Sequence, residues 1–303
     1  MNEVQMRLSG PDAIADSSIS MIVSLISQEQ LGNQLENAEI HARGLQQIVR
    51  LRGGISSLEG NFPLALQVCK SDIMLSLQLG KSTIFFRDNM PDLATQQELI
   101  FDPFMIPGSV ASGYYHVGST LQKIFSDVMR FCAMMNAEIR TTSLDFLGFE
   151  EILISICYRL LKFRSLNELK NNPDIHSMFH LGLTVFTMST FLQFDRHKII
   201  SHRFLSTCLQ EVSRFQSYGN QDHLNFWFLM VGGIWVANDE DGDWAICTIR
   251  ETTHRQGITT WNQARSILCM FPWIHGLHDQ PGYDLWTRAQ ANQEKIEFTV
   301  PGR

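Results

Sequence analysis

Apolar residues recur along most of this chain at the three- and four-residue spacing of an amphipathic α-helix, and the strict alternation of a half-buried strand is scarce. One such series runs for about five turns. Its members are Leu121, Ile124, Phe125, Val128, Cys132, Met135 and Ile139. A pattern with this period presents one apolar face only from a helix, so the elements must pack helix on helix. We therefore expect an all-α protein, a multi-helix array with one continuous core.

The helical pattern is interrupted by a stretch at residues 86–115 that contains three of the nine prolines. Loss of periodicity there predicts a long irregular connector and a subdivision of the fold at this place. A polar lead over 1–17 and a tail over 294–303 are expected to lie outside the packed helices. Elsewhere the periodicity predicts helices over 18–30, 38–52, 63–79, 119–139, 149–163, 175–194, 202–215, 222–237, 243–255, 260–269 and 284–293.

The charge balance is acidic, with 24 Lys and Arg against 31 Asp and Glu and a net charge of −7. No overall basic field draws such a chain onto phosphate or anionic lipid, which argues against sequence-independent binding of nucleic acid. The longest apolar run, 224–237, is interrupted by glycines and an asparagine and is shorter than the roughly 20 residues that span a bilayer. The six cysteines lie at least 22 residues apart, which predicts neither a zinc clamp nor a disulfide framework. We expect a soluble intracellular protein without membrane contact.

Patterns that carry catalysis or bind metal are missing or incomplete. The sequence contains no G-x-S-x-G, G-x-G-x-x-G or C-x-x-C. His176 and His180 are one helical turn apart, and His275 and His278 lie beside an aspartate, but no third ligand accompanies either pair. We expect partly exposed or surface histidines in both cases. The acidic run 239–243 lacks the last glutamate of a calcium loop and is better explained by helix capping. No catalytic, cofactor or metal site is assigned, and the chain is not expected to be an enzyme.

A first motif occupies residues 36–54, which read ENAEIHARGLQQIVRLRGG, and an aspartate follows at Asp72. Its pattern is A-x-x-H-x-x-G-L-x-x-h-V-x-x-R-G-G, where h is apolar. Its marked members are His41, Gly44, Leu45, Arg52, Gly53 and Gly54.

A second motif begins at residues 226–235, which read FWFLMVGGIW and contain the pair Gly232 and Gly233. Its later members are Trp261, the Phe-Pro-Trp sequence that includes Pro272 and Trp273, and Trp286. In pattern and order, the two motifs together resemble the fungal-specific transcription factor domain, the regulatory region of fungal binuclear zinc-cluster regulators.

The resemblance implies that residues 18–293 form a regulatory or effector domain of a fungal transcription regulator, without chemistry of its own. It implies a nuclear protein that contacts other transcription proteins, with a homodimer and a small-molecule effector as further expectations. In that family zinc belongs to a six-cysteine cluster that precedes this domain, and this sequence contains no such cluster. No cofactor and no direct DNA contact are therefore expected of this chain.

Two alternatives stay open. One is a stand-alone helical interaction module, cytoplasmic in that case, that binds or titrates related regulators. The other is an enzyme with an unfamiliar helical active site, for which the sequence offers no constellation of residues.

The glycines of the motifs are expected to serve packing and chain reversal. A glycine inside a helix costs about 1 kcal/mol relative to alanine, so close helix contact would explain Gly44, Gly232 and Gly233. Gly53 and Gly54 are expected to end a helix, because glycine adopts the left-handed conformation without strain.

Two polar members of the first motif have expected structural roles. Arg52 either bonds the free carbonyl groups at its helix end or pairs with an acidic residue such as Asp72. His41 lies on or beside the apolar face of its helix and is expected to be a hydrogen-bonded packing histidine. Neither role is catalytic.

Overall fold

The computed structural model of the chain describes residues 14–90, 118–137, 146–171, 173–195, 203–214, 222–236 and 243–297. Within these residues it contains twelve α-helices, one 3-10 helix and no strand. The expected all-α multi-helix array is confirmed. Most of the expected connector, 91–115, lies outside the described residues, and its first part, 86–90, is not helical.

The helices are numbered in chain order. They are α1 Asp16–Leu31, α2 Leu35–Arg52, α3 Phe62–Leu79, α4 Ser119–Asn136, α5 Phe146–Phe163, α6 Leu166–Asn171, α7 Ile175–Asp195, α8 Arg203–Ser213, α9 Asp222–Val236, α10 Asp243–Gln256, α11 Trp261–Leu268 and α12 His275–Glu297. Two elements were not expected from the periodicity, α6 and the 3-10 helix Ile55–Asn61 between α2 and α3. Both are too short to show a repeating apolar pattern.

The last expected helix, 284–293, is too short: α12 begins at His275, contains Pro281 and ends at Glu297, so the expected tail over 294–303 is wrong for its first residues. Proline removes a backbone donor and usually ends a helix, so the sequence favoured a later start. A Cβ atom placed on the next residue, Gly282, would lie 3.0 Å from the Trp273 ring. The helix backbone thus packs directly on this indole, and that contact stabilises the helix where the proline weakens it.

The C-terminus of α2 shows the glycine reversal in detail. Gly53 has a φ of 112°, and its N–H donates to the Arg50 carbonyl at 3.1 Å. The N–H of Gly54 donates to the Val49 carbonyl at 2.8 Å. This pair of bonds is a Schellman motif, in which a left-handed glycine satisfies the last carbonyl groups of a helix.

The chain divides into two compact units. Unit 1 takes the described residues within 1–91, 143–167 and 195–205, and unit 2 those within 92–142, 168–194 and 206–303. The first motif lies in unit 1 and the second in unit 2. The apolar periodicity does not show which helices share a core, because it marks only the buried face of each helix.

Unit 1 is built on the pairing of α1 with α2, and α3 packs against both. Helix α5 packs in turn against α3. The core contains apolar residues at helical spacing, which are Ile19, Ile22, Val23, Ile26, Ala38, Ala42, Leu45, Val49, Leu58, Leu64, Ala65, Val68 and Leu75. Leu45 of the first motif is therefore a core residue.

Unit 2 is organised around α9, which is buried without interruption from Leu224 to Gly233. Helices α10, α11 and α12 pack against it. A helix that is apolar around most of its circumference needs cover on several sides, and the longest apolar run of the sequence accordingly forms this central helix. Among the helices that are described, none combines the length and apolar character required to cross a membrane.

Candidate functional site

Arg52 closes the α1–α2 hairpin. It forms an ion pair with Asp16 at the start of α1 and donates to the Ile14 carbonyl at 3.3 Å. Asn61 donates to the other carboxylate oxygen of Asp16 at 2.8 Å, and these hydrogen bonds, first that of Asn61 and then that of Arg52, lower the pKa of Asp16. Of the two alternatives for Arg52, a pair with an acidic residue is found, but the partner is Asp16 and not Asp72.

Asp72 is the middle of a buried polar cluster in unit 1. Its Oδ1 accepts from the Ile84 N–H at 2.8 Å, and its Oδ2 accepts from the Phe85 N–H at 2.9 Å. The hydroxyl of Tyr158, on α5, also donates to Oδ2 at 2.9 Å. We call these four residues the Asp72 centre. One carboxylate on α3 thereby holds a second helix and the non-helical segment that follows Gly80.

Burial of the Asp72 carboxylate is unfavourable, because it removes the charged group from water. The residue is buried, and burial raises its pKa to about 6 although three hydrogen bonds oppose the shift. Burial also raises the pKa of the Tyr158 hydroxyl, and it raises that of the neighbouring Cys69 thiol to about 12. A thiol with such a pKa is protonated at neutral pH and is a poor nucleophile. The Asp72 centre therefore positions backbone and presents no activated group.

A buried guanidinium fixes the next part of the same segment. Arg87 donates through Nε to Glu151 on α5 at 2.7 Å and is also paired with Glu59 of the 3-10 helix. Two residues further on, the Asn89 N–H donates to Ser155 Oγ at 3.1 Å. A buried charge that loses its partner is strongly destabilising, so these contacts define the path of the segment. Sequence reasoning missed Arg87, because a charged residue beside a proline-rich stretch looks solvent-exposed.

In unit 2, the second motif surrounds the turn 271–274 between α11 and α12, which we call the Trp273 turn. Asn136, at the end of α4, donates through Nδ2 to the Trp273 carbonyl at 2.8 Å. Its Oδ1 accepts from the His275 N–H at 2.8 Å. One amide side chain thus pairs with both a donor and an acceptor of the turn. Nothing in the local sequence around Asn136 indicated this role.

Two indole groups complete the hydrogen bonding of the Trp273 turn. Trp227, on α9, donates to the Pro272 carbonyl at 3.0 Å and stacks on Phe271 at a centroid distance of 5.3 Å. The indole N–H of Trp273 donates to Asp279 Oδ1 at 2.8 Å. Both tryptophans are buried. A buried tryptophan needs a partner for its N–H, and the turn provides it for Trp227 while Asp279 on α12 provides it for Trp273.

His278 lies in the interior of unit 2, so the expectation of a surface histidine in an irregular segment is wrong. It is fully buried on α12, stacks on Phe186 at 5.0 Å and lies 5.2 Å from the Trp273 ring. Burial lowers its pKa to about 4, and the ring is therefore neutral at pH 7.

Ser189 and His278 resemble a nucleophile and its base only in distance. The Ser189 Oγ lies 3.2 Å from His278 Nε2, but it donates its one proton to the Phe186 carbonyl at 2.8 Å. The other ring nitrogen lies 3.2 Å from the Ile274 nitrogen and 3.1 Å from the Ile274 carbonyl oxygen, so its described partners are backbone groups and not a carboxylate. A catalytic pair needs an available hydroxyl proton and a base of suitable pKa. This pair instead joins α7 to α12.

The glycine pair of α9 lies where neighbouring side chains come closest. A Cβ atom on Gly233 would lie 2.6 Å from Leu285 and 3.1 Å from Ile249, and one on Gly232 would lie 3.0 Å from Leu209. The expected close helix contact is present at both positions. Helix α9 thus approaches α8, α10 and α12 through its two glycines.

The expectation of close packing at Gly44 is wrong. A Cβ atom placed there would have no atom of the described chain within 4 Å. On the same helix, His41 is half-buried and Leu45 is in the core. The absent side chain of Gly44 therefore serves no contact inside unit 1.

The remaining motif tryptophans pack on each other and on a tyrosine. Trp261 lies edge-on to Tyr283 at 5.8 Å and 6.3 Å from Trp286. Tyr283 is exposed, and the two tryptophans are half-buried. The three rings join the start of α11 to the middle of α12.

In the described ranges, no group of three His, Cys, Asp or Glu side chains is placed to hold a metal ion. His176 is partly exposed, as expected, whereas His180 is fully buried, so the expectation of two partly exposed histidines is wrong for His180. Residues 239–242 of the acidic run lie outside the described residues. The six cysteines, all described, form no disulfide, and two of them, Cys247 and Cys269, are exposed.

Comparisons of the chain with known protein families, with curated proteins and with solved structures find no match.

Proposed function

We propose that this chain is the regulatory or effector domain of a fungal transcription regulator and that it acts through contacts with other transcription proteins. The observation that carries the proposal is the occurrence of both motifs, in order, in one all-α chain. DNA recognition is assigned to a separate zinc-cluster module, in keeping with the net charge of −7 on this chain.

The positions of the motif residues support this assignment. Gly53 ends a helix, Asp72 holds backbone, Gly233 allows close packing, and Trp273 lies in a turn bonded from several helices. Each role builds a scaffold, and none brings a reactive group to an accessible surface. Structural roles of this kind are in keeping with a domain that functions by contact.

A tethering experiment tests the proposal. The full chain is fused to a heterologous DNA-binding module and expressed in a fungal cell that carries a reporter gene under the matching operator. We expect the fusion to change reporter expression, up or down, relative to the module alone. An unchanged reporter at normal levels of the fusion protein would contradict the proposal.

Two variants serve as matched controls for this experiment. Tyr283→Phe removes an exposed hydroxyl but keeps the ring contacts with Trp261 and Trp286, and it should retain the effect. Asp72→Ala removes the acceptor of three hydrogen bonds and should lose it. Separately, the purified chain should show no specific, salt-resistant binding to promoter DNA, and such binding would contradict the assignment of DNA contact to another module.

A stand-alone interaction module is the second candidate. The observation in its favour is that two large apolar side chains, Ile40 and Leu51, are exposed on one helix. This function predicts no effect of the tethered chain on the reporter. It predicts instead that the untethered chain lowers the output of a related regulator expressed in the same cell.

A further inference from the structure

Helix α2 carries a second stripe of residues opposite its buried face. Ile40, Gly44, Gln47 and Leu51 recur at i, i+4, i+7 and i+11, the spacing of the seam of a two-stranded coiled coil. We call these four residues the α2 seam. Ile40 is 66% exposed and Leu51 is 77% exposed, and Gln47 is exposed as well.

The core of unit 1 does not use this seam. The buried face of α2 consists of Ala38, Ala42, Leu45 and Val49. Gly44 lowers the stability of the helix and has no described neighbour that needs the space. Its missing side chain leaves a depression between Ile40 and Leu51, where the backbone of another helix can approach closely.

Charged residues flank the seam at seven-residue spacing. They are Glu36, Arg43 and Arg50, all exposed. Arg43 is paired with Glu39 of its own helix at 2.8 Å. Neither Glu36 nor Arg50 takes part in an ion pair within the described part of the chain. The seam thus has one acidic end and one basic end, each with an available charge.

We propose that the α2 seam binds the α2 seam of a second copy of this chain, with the two helices antiparallel about a twofold axis at Gly44. At 1.5 Å per residue, Glu36 lies about 12 Å from that axis on one side and Arg50 about 9 Å on the other. The twofold axis therefore brings Glu36 of each copy alongside Arg50 of the other. It also sets the two helix dipoles in opposite directions.

The charges select this arrangement over a parallel one. In a parallel pair the two acidic ends lie at one end of the interface and the two basic ends at the other, so neither Glu36 nor Arg50 comes near an opposite charge of the other seam. The antiparallel pair gives two opposite-charge contacts and seats the apolar side chains on either side of the closest approach at Gly44. The same surface patch is used on both copies, as a twofold interface requires.

The expected dimer is reversible, because its interface is built around one helix about 27 Å long and lies at the small end of stable interfaces. This inference does not depend on a role in transcription. It concerns only which surface of the chain meets a second copy.

Sedimentation analysis of the full chain over a range of concentrations tests the proposal. We expect a monomer–dimer equilibrium, and we expect Leu51→Glu to raise the dissociation constant about tenfold or more. Leu31→Glu is the matched control: Leu31 is 49% exposed, lies at the end of α1 and is not part of the seam. Circular dichroism verifies that both variants are folded. A monomer at every concentration, or a dimer that Leu51→Glu leaves unchanged, would overturn the proposal.

A cross-linking experiment tests the orientation. Single cysteines are introduced as Glu36→Cys or Arg50→Cys in a chain whose exposed Cys247 and Cys269 are replaced by serine. A short thiol cross-linker should join the two variants when they are mixed. It should not join either variant to itself, since the paired positions would be about 24 Å or 18 Å apart. Cross-links within each single variant would show a parallel pair and contradict the twofold axis at Gly44.

Discussion

The Tyr158 hydroxyl donates to Asp72 Oδ2 at 2.9 Å, and the same oxygen accepts from the Phe85 N–H. The carboxylate is buried, so each of its hydrogen bonds replaces one that water would supply to the unfolded chain. Asp72 thus joins two helices and the segment after α3 through one charged group. Loss of any partner leaves an unsatisfied group in the interior of unit 1.

Tyr158→Phe removes one donor to the buried carboxylate without changing the shape of the ring. We expect it to lower the free energy of unfolding by about 1–2 kcal/mol, since hydrogen bonds to charged groups are among the stronger ones. Denaturant unfolding followed by circular dichroism measures the loss. Tyr283→Phe is the control, because Tyr283 is exposed and its change should stay within about 0.5 kcal/mol. Equal effects of the two substitutions would show that the Asp72 centre is not energetically important.

His278 should make the stability of unit 2 depend on pH. Burial lowers the pKa of this residue from 6.5 to about 4. Below pH 6.5 the unfolded chain binds a proton at this residue while the folded chain does not. The stability of unit 2 therefore falls as the pH is lowered from about 6.5 to 4, by up to about 3 kcal/mol from this group. All six tryptophans lie in unit 2, so unfolding followed by indole fluorescence measures this unit alone. His278→Gln should remove most of the slope, and an unchanged slope would contradict the assignment.

Asp72 gives unit 1 the opposite dependence, because burial raises its pKa from 3.8 to about 6. Between these values the folded chain binds a proton that the unfolded chain does not, so this group makes unit 1 more stable as the pH falls from about 6 to 4. Hydrogen exchange of slowly exchanging amides in the middle of α3, which is packed in the core of unit 1, reports on unit 1 directly. We expect the protection of these amides to rise as the pH falls through this window, after correction for the intrinsic exchange rate. Asp72→Asn, which cannot titrate, is the control and should show no such rise.

Helix positions were predictable because the apolar periodicity is strong. The ends of α2 and α11 also had local signals, since Gly53 follows one and Thr260 with Gln263 forms a capping box at the other. The start of α12 was missed because Pro281 is a local signal for a break, whereas the contact that stabilises the helix comes from Trp273, which lies outside it. Local chemistry is visible in a sequence, and contacts between separate elements are not.

The buried polar clusters show the same limit. Asp72 was singled out by its motif, but its partners Ile84 and Phe85 use backbone groups that every residue possesses. Asn136 forms hydrogen bonds with a turn more than 130 residues away, and no sequence pattern near Asn136 predicts this contact. His278 was placed at the surface because histidine is often exposed, and only the three-dimensional packing reveals its burial.

Two glycine-to-alanine substitutions should have opposite effects. Gly44→Ala fills open space in α2 and should raise the free energy of unfolding by about 0.5–1 kcal/mol, measured at low protein concentration. Gly233→Ala places a methyl group 2.6 Å from Leu285 in a packed core and should lower it by about 1–3 kcal/mol. Unfolding of the Gly44→Ala variant is followed by circular dichroism, and unfolding of the Gly233→Ala variant is followed by indole fluorescence. A stabilising effect at Gly233 would contradict the close packing of α9.

Asn136→Asp tests the Trp273 turn with almost no change in side-chain volume. The substitution keeps the acceptor for the His275 N–H but replaces the donor to the Trp273 carbonyl by a second oxygen. Two acceptors then face each other, and we expect the free energy of unfolding of unit 2 to fall by about 2 kcal/mol at pH 7. Protonation of the new carboxyl restores a donor, so the difference from the unsubstituted chain should shrink as the pH is lowered. Indole fluorescence follows the unfolding of both chains at each pH. Asn262→Asp is the control, because Asn262 is exposed on α11, and its free energy of unfolding should differ from that of the unsubstituted chain by less than about 0.5 kcal/mol. If the free energy of unfolding lost in Asn136→Asp were the same at every pH, the amide donor would not be the group that stabilises the turn.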